Sequence, residues 1–235
     1  MIRQAVILAG GKGKRMRKGT SDPELLSTPK QLLKINGVSI IEKHVKALSK
    51  EGIETVIVAN NDNKAAFQEA LKGYDVKYVT QEEPLGTANA LYQAKDYINS
   101  DLFLVIMGDD IAEYDISKIK TMEDPTVFAY EVDDLSSYGA VVTDDNGSVK
   151  EIKEKSVKGR GLANSGIYIM PIDFFDVYGS IPINEGSGEF YLTDAIKILK
   201  DRGINFNVEK LDLWIGINTP EELKAAREKL ENETR

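Results

Sequence analysis

The chain has 235 residues, a formal net charge of −8, 42% hydrophobic residues and 29% charged residues. This composition is typical of an ordered globular protein, and the acidic balance argues against nucleic acid as a partner. The absence of cysteine excludes disulfides, thiolate metal ligands and cysteine nucleophiles. The apolar runs are much shorter than the roughly 20 residues of a membrane helix, so we expect a cytoplasmic protein without a membrane partner.

Strand and helix patterns alternate through the first half of the chain. Strand patterns occur at residues 4–9, 53–59, 76–79 and 102–107, and helix patterns at 38–50, 64–72 and 87–98. Strands that are separated by helices in this way predict βαβ units and a mostly parallel sheet.

The second half of the sequence has a different pattern. Short strand patterns occur at residues 126–132, 139–143, 148–152 and 166–170, followed by a helix near 190–201, a strand near 206–211 and a helix after Pro220. Turn residues separate the short strands, which predicts antiparallel additions to the same sheet. Thr219 and Glu222 have the spacing of a capping box, with Pro220 at the first helical position. We predict one α/β domain with a Rossmann-like mixed, mostly parallel central sheet flanked by helices.

A basic, glycine-rich segment stands out in this acidic chain. Residues 10–34 contain seven basic and two acidic residues, which predicts a local anion site. Within it, Gly10, Gly11 and Gly13 follow the first strand and precede Arg15. Met16 occupies the position of the last glycine of a dinucleotide fingerprint, and a Walker loop is absent. We expect the turn to close its backbone N–H groups around phosphate oxygens, with Arg15 as a bidentate donor.

Three further segments carry candidate functional residues. Lys30 follows Pro29, and Gln81 precedes the Gly86–Thr87 turn that opens a helix. Asp109 comes directly after the most hydrophobic strand, where ligands bind in open α/β sheets. Aspartate oxygens are natural ligands for Mg²⁺ bound to phosphate.

In this order, the four segments resemble the sugar-1-phosphate nucleotidyltransferases, also called nucleoside-diphosphate-sugar pyrophosphorylases. The resemblance continues downstream at residues 138–141, 154–155, 164–168, 188–194 and 214–223. It implies the nucleotide-diphospho-sugar transferase fold over residues 1–235, with a nucleotide-binding half at 1–112 and a sugar-phosphate-binding half at 113–235. It also implies transfer of a nucleotidyl group from UTP or dTTP to a sugar 1-phosphate, with glucose 1-phosphate favoured.

The resemblance also assigns roles to individual residues. Arg15 and Lys30 would be catalytic, and Asp109 would bind Mg²⁺. Nucleotide-binding positions would be Leu8, Ala9, Gly10, Gly11, Gly13, Gln81, Gly86 and Thr87. Sugar-phosphate-binding positions would be Gly139, Glu154, Lys155 and Asn164.

The second metal ligand departs from the common family pattern. Gly216 stands where related enzymes often have a metal-binding aspartate two residues after the tryptophan. Some N-acetylglucosamine-1-phosphate uridylyltransferases resemble this sequence in having an asparagine ligand, so we predict that Asn218 joins Asp109 at Mg²⁺. His44 is the only histidine, and a metal role is not expected for it.

Several alternatives stay open at this stage. Within the family, the chain could be a mannose-1-phosphate guanylyltransferase or an N-acetylglucosamine-1-phosphate uridylyltransferase. Outside it, the alternatives are a methylerythritol-phosphate cytidylyltransferase, a metal-dependent glycosyltransferase and a non-catalytic regulatory relative. A homo-oligomer is possible, and the sequence does not specify one.

Overall fold

In the computed structural model, which describes residues 1–233 and side chains through residue 230, β-strands and α-helices alternate along the first half of the chain. The strands are β1 (Gln4–Leu8), β2 (Lys34–Ile35), β3 (Val38–Ser39), β4 (Glu54–Ala59), β5 (Val76–Thr80), β6 (Leu102–Met107), β7 (Asp110–Glu113), β8 (Thr126–Val132), β9 (Gly139–Thr143), β10 (Val149–Glu154), β11 (Gly161–Pro171), β12 (Asn207–Lys210) and β13 (Leu213–Gly216). The helices are α1 (Lys14–Arg17), α2 (Pro23–Ser27), α3 (Ile40–Lys50), α4 (Asn61–Ala70), α5 (Thr87–Tyr92), α6 (Ile116–Lys120), α7 (Phe174–Val177), α8 (Leu192–Asp201) and α9 (Pro220–Glu233).

The central sheet has nine strands in the described chain. Its main path runs β10-β9-β11-β6-β1-β4-β5, and β8 pairs with both β11 and β12. The β1, β4, β5 and β6 strands are parallel to their neighbours in this group, which confirms the predicted βαβ half. Strand β11 is antiparallel to β6 and β8, which confirms the predicted antiparallel additions. Strand β12 departs from this pattern and runs parallel to β8.

Both faces of the central sheet are covered by helices. Alternate residues of β1 point to opposite faces: Val6 packs in a core cluster with residues of α5 and α8, whereas Ile7 packs in one with residues of α3 and α4. A third, smaller cluster joins Met16 of α1 and Leu25 of α2 to Leu223 of α9. The basic segment therefore has a hydrophobic anchor of its own beside the sheet.

Some element boundaries differ from the sequence predictions. The helix predicted at residues 87–98 ends at Tyr92 and is followed by a 3-10 turn at Lys95–Tyr97. The strand predicted at 166–170 extends over Gly161–Pro171 and contains a register shift between Asn164 and Ile167. The predicted capping box is present, because Thr219 Oγ1 accepts from the Glu222 N–H at 3.2 Å and Glu222 Oε2 accepts from the Thr219 N–H at 3.1 Å.

Candidate active site

A cavity of about 660 Å³ opens at the carboxyl ends of β1 and β6. Its lining residues come from the glycine-rich turn, the segment around Lys30, the Gln81–Thr87 region, the end of β6 and two later loops. They are Leu8, Gly10, Gly11, Lys12, Gly13, Lys14, Arg15, Lys30, Gln31, Gln81, Pro84, Gly86, Thr87, Ala90, Met107, Asp109, Ser187, Glu189 and Asn218. The cavity therefore lies where open α/β sheets bind ligands.

The glycine-rich turn gives this cavity a positively charged wall. Gly13 adopts a left-handed conformation with φ of 62° and directly precedes the short helix α1. Met16 of α1 is buried in the third hydrophobic cluster, while Arg15 beside it lines the cavity. Because Met16 is buried in this cluster, α1 is held with the Arg15 side towards the cavity.

Four side chains from distant parts of the sequence form one polar network. The Lys30 ammonium lies 2.5 Å from Asp109 Oδ2 and donates to Asn218 Oδ1 at 3.3 Å. Arg15 Nη2 donates to the same Asn218 oxygen at 2.9 Å. The Lys30 side chain is 8% exposed, so its ion pair with Asp109 is shielded from bulk water. Both candidate catalytic cations therefore converge on one oxygen at the cavity wall.

Asp110, the neighbour of Asp109, is half-buried beside this network. Desolvation and the charge of Asp109 raise the pKa of the Asp110 carboxyl above its usual range, while Lys30 and the Ile217 backbone lower it. This carboxyl group therefore holds its proton to a higher pH than an ordinary aspartate does. In the sequence, Asp109 and Asp110 are equivalent carboxylates, and only the fold gives them different surroundings.

The opposite wall of the cavity contains Gln81 and the Gly86–Thr87 turn. Gly86 has φ of 96°, and a Cβ added there would lie 2.5 Å from the Phe190 carbonyl oxygen. Thr87 Oγ1 accepts a hydrogen bond from the Leu192 N–H at 3.0 Å, which ties the turn to the start of α8. These close contacts hold the turn in one conformation beside Gln81.

The predicted nucleotide-binding residues lie around this cavity with one exception. Leu8, Gly10, Gly11, Gly13, Gln81, Gly86 and Thr87 line it. Ala9 is fully buried in the core beneath the turn, where its backbone N–H donates to the Val58 carbonyl at 2.8 Å.

The predicted sugar-phosphate residues lie outside the lining of this cavity. Gly139 and Glu154 face each other across β9 and β10, and Lys155 follows with a left-handed φ of 47°. Asn164 donates to the Tyr168 hydroxyl at 2.7 Å. Gly166 packs against Met107, a residue of the cavity wall, and a Cβ added to Gly166 would lie 2.5 Å from Met107 Cγ.

Several lining residues were not identified from the sequence. Lys12 and Lys14 lie within the glycine-rich segment, and Gln31 directly follows Lys30. Their closeness to these motifs was the sequence signal that could have identified them as lining residues. Ser187 and Glu189 come from a loop whose position depends on tertiary packing. Within the described residues, no group of three or more His, Cys, Asp or Glu side chains forms a metal cluster.

Comparisons of the sequence and of the structure with known proteins agree on one family. The family model for nucleotidyl transferases matches residues 4–233. The D-glycero-alpha-D-manno-heptose 1-phosphate guanylyltransferase of Campylobacter jejuni is 32% identical over 93% of this chain and 96% of its own length. The UTP–glucose-1-phosphate uridylyltransferase AglF of Haloferax volcanii is 30% identical over 98% of both chains.

A solved structure shows the same architecture. HddC of Yersinia pseudotuberculosis has a TM-score of 0.75 and 26% identity, over 97% of this chain and 100% of its own. This chain also spans about half the length of the bifunctional relatives that it matches. No helix within residues 1–233 has the length and apolar character needed to cross a bilayer.

Proposed function

Since the chain belongs to the nucleotidyl transferase family, we propose that this nucleotidyltransferase uses a nucleoside triphosphate and a sugar 1-phosphate, and forms a nucleoside-diphosphate sugar and pyrophosphate. The observation that carries this proposal is the convergence of Arg15 and Lys30 on Asn218 Oδ1 beside the glycine-rich turn. Two cations that share one acceptor oxygen are suited to hold phosphate oxygens in its place.

The proposed reaction needs little proton transfer from the protein. A phosphate monoester is mostly a dianion at pH 7, since its second pKa is about 6. An oxygen of the sugar phosphate would attack the α-phosphorus, the new O–P bond would form, and the bond to the β-phosphate oxygen would break. Lys30 and Arg15 would stabilise the negative charge that develops on the phosphoryl oxygens, and the backbone of the glycine-rich turn would orient the triphosphate.

The donor atoms at the site fit Mg²⁺. Asp109 offers a carboxylate that is 30% exposed, and Asn218 offers an amide oxygen, and both face the Lys30 ammonium. Two protein oxygens are enough for Mg²⁺, because phosphate and water normally complete its octahedron. When bound, the ion would neutralise charge on the phosphates, and Asp109 and Asn218 would hold it.

For the specific substrates, we favour UTP or dTTP with glucose 1-phosphate, supported by the AglF relative and by Gln81 beside the cavity. A second candidate is guanylyl transfer to a heptose 1-phosphate. It is supported by the Campylobacter jejuni relative and by HddC, which has been solved with GMP-PN. The sugar 1-phosphate would lie towards Gly139, Glu154, Lys155 and Asn164.

A substrate matrix tests both candidates. Pyrophosphate release is measured for UTP, dTTP, GTP, CTP and ATP, each with the 1-phosphates of glucose, N-acetylglucosamine, mannose and heptose, and with methylerythritol phosphate. Mass spectrometry identifies the sugar nucleotide. Release with UTP or dTTP and glucose 1-phosphate supports the favoured candidate, and release with GTP and heptose 1-phosphate supports the second. Release with methylerythritol phosphate alone, or with no acceptor, would contradict the proposal.

A further inference from the structure

The orientation of the Gln81 side-chain amide is fixed by its neighbours. Gln81 Nε2 donates to the Gly86 carbonyl oxygen at 3.0 Å and to Asn89 Oδ1 at 3.0 Å. A backbone carbonyl can only accept, so the group that faces Gly86 must be the NH₂ of Gln81 rather than its oxygen. Both amide hydrogens are therefore used inside the protein.

The Gln81 NH₂ requires the Asn89 oxygen on its side, and the Asn89 NH₂ contacts a tyrosine from the other half of the chain. Asn89 is 9% exposed, and its Nδ2 donates to the Tyr178 hydroxyl at 2.8 Å. With its NH₂ on Tyr178, Asn89 presents its oxygen to Gln81. Tyr178 stacks on Tyr92 with ring centroids 4.0 Å apart, and it also packs against Phe190. This packing holds the hydroxyl group where Asn89 needs it.

The remaining polar atom of Gln81 lies beside Gly10 at the cavity wall. Within the described chain, Gln81 Oε1 has no hydrogen-bond partner, and it lies 2.7 Å from the position of a Cβ added to Gly10. Gly10 and Gln81 both line the cavity. A ligand at this wall therefore meets a hydrogen-bond acceptor and no donor from Gln81.

We propose that Asn89 and Tyr178 are positioning residues that hold the Gln81 oxygen towards the nucleotide base, so that the site selects bases with a ring N–H at that edge. Uracil, thymine, guanine and hypoxanthine carry such a ring N–H. Cytosine and adenine carry a ring nitrogen lone pair instead, which would face the Gln81 oxygen unfavourably. This inference rests on the proposed function for the placement of the base at Gln81, and it adds the two residues that position the Gln81 oxygen.

The test compares bases that differ at this edge. Dissociation constants of UTP, CTP, ITP and ATP are measured by calorimetry without a sugar phosphate. Each pair, UTP with CTP and ITP with ATP, exchanges a ring N–H for a lone pair and the adjacent oxo group for an amino group at constant ring size, so the variants below are needed to isolate the Gln81 contribution. For the wild-type protein, we compare the two members of whichever pair binds better. The nucleotide with the ring N–H should have a dissociation constant about tenfold lower than its partner, because one hydrogen bond is replaced by an unpaired contact.

Variants of the two positioning residues separate their role from general stability. Asn89→Ala and Tyr178→Phe should reduce the ratio within the better-bound pair to about threefold or less, since the Gln81 amide loses part of its support. Asn89→Asp keeps an acceptor for Gln81 and should retain the ratio. Tyr92→Phe removes a hydroxyl from the adjacent stacked ring, and should leave the ratio unchanged.

The binding ratios and the pyrophosphate release have different consequences. Tighter binding of CTP and ATP, or wild-type ratios in both Asn89→Ala and Tyr178→Phe, would overturn the selection rule. If no triphosphate binds, the inference and the proposed function both fail. If the expected ratios are found and no sugar phosphate gives pyrophosphate release, only the proposed function fails.

Discussion

Lys30 donates a hydrogen bond to Asn218 at 3.3 Å across 188 residues of sequence. The contact joins the segment after the glycine-rich turn to the loop before α9. That loop is held by the capping box, and Glu222 Oε2 also accepts from the Asn218 backbone N–H at 2.6 Å. The C-terminal helix therefore helps to position the charged wall of the cavity.

Replacement of Lys30 by alanine should remove most of the nucleotidyl transfer activity. The ammonium is buried between Asp109 and Asn218, so its loss removes a cation aimed at phosphoryl oxygens. We expect a loss of about 3–4 kcal/mol of transition-state stabilisation, or roughly 10²–10³ in rate. Steady-state kinetics measure the effect. Lys18→Ala, at an exposed lysine outside the cavity lining, is the matched control. Near wild-type turnover in Lys30→Ala would refute the catalytic role.

Arg15→Ala should lower activity by a similar factor while leaving the fold intact. Arg15 is exposed at the cavity and donates to Asn218, so the protein loses a phosphate contact without losing core packing. The comparison is with Arg17→Ala, because Arg17 belongs to the same short helix and does not line the cavity. Circular dichroism checks the fold. Equal activities of the two variants would remove Arg15 from the catalytic machinery.

The parallel half of the sheet and the last helix were predictable from sequence because their signals are local. The apolar run before Gly10 and the run at 102–107 have no competing pattern, and the Thr219–Glu222 capping box specifies its helix start. Strands β7 and β13 were missed, because each has four residues and they pair only with each other. The two strands are far apart in sequence, so a local pattern cannot predict that they pair.

The residues of the candidate site that lie in sequence motifs were predictable. The glycine-rich turn and Asp109 line one cavity, as their positions after strands suggested, and Lys30 lines it as well. The Asn89–Tyr178 contact joins positions 89 residues apart in sequence, so the segment that contains Asn89 could not predict its partner. The surroundings of Asp110 likewise depend on packing by later strands.

Asn218 should affect the Mg²⁺ requirement if it is a metal ligand. Asn218→Ala is expected to raise the Mg²⁺ concentration for half-maximal rate and to lower the maximum, whereas Asn218→Asp supplies a charged oxygen and should restore metal use. Thr219→Ala is the control. It removes the side-chain cap of α9 and should cost about 1 kcal/mol of stability with an unchanged Mg²⁺ titration. A purely structural role for Asn218 would give reduced thermal stability with an unchanged titration.

His44 should make the stability of the fold depend on acid pH. The imidazole is buried in α3, where Nε2 lies 2.9 Å from the Asp110 carbonyl oxygen and Nδ1 lies 2.5 Å from the Tyr114 hydroxyl. Since the carbonyl can only accept, Nε2 carries the proton and Nδ1 accepts from Tyr114. Burial lowers the pKa of His44 to about 4, with Lys43 also lowering it and the Asp110 carbonyl and the Asp109 charge raising it.

Because the His44 pKa is depressed in the folded state, the unfolded chain binds the extra proton first as the pH falls. The stability contributed by neutral His44 is therefore present above pH 6.5 and is lost progressively down to about pH 4. Urea unfolding of wild type and His44→Gln at pH 7 and pH 5 tests this, and their difference cancels the opposing titration of Asp110. We expect the wild type to lose about 2 kcal/mol relative to His44→Gln over this range. Parallel pH profiles for the two proteins would show that His44 keeps an ordinary pKa in the folded state.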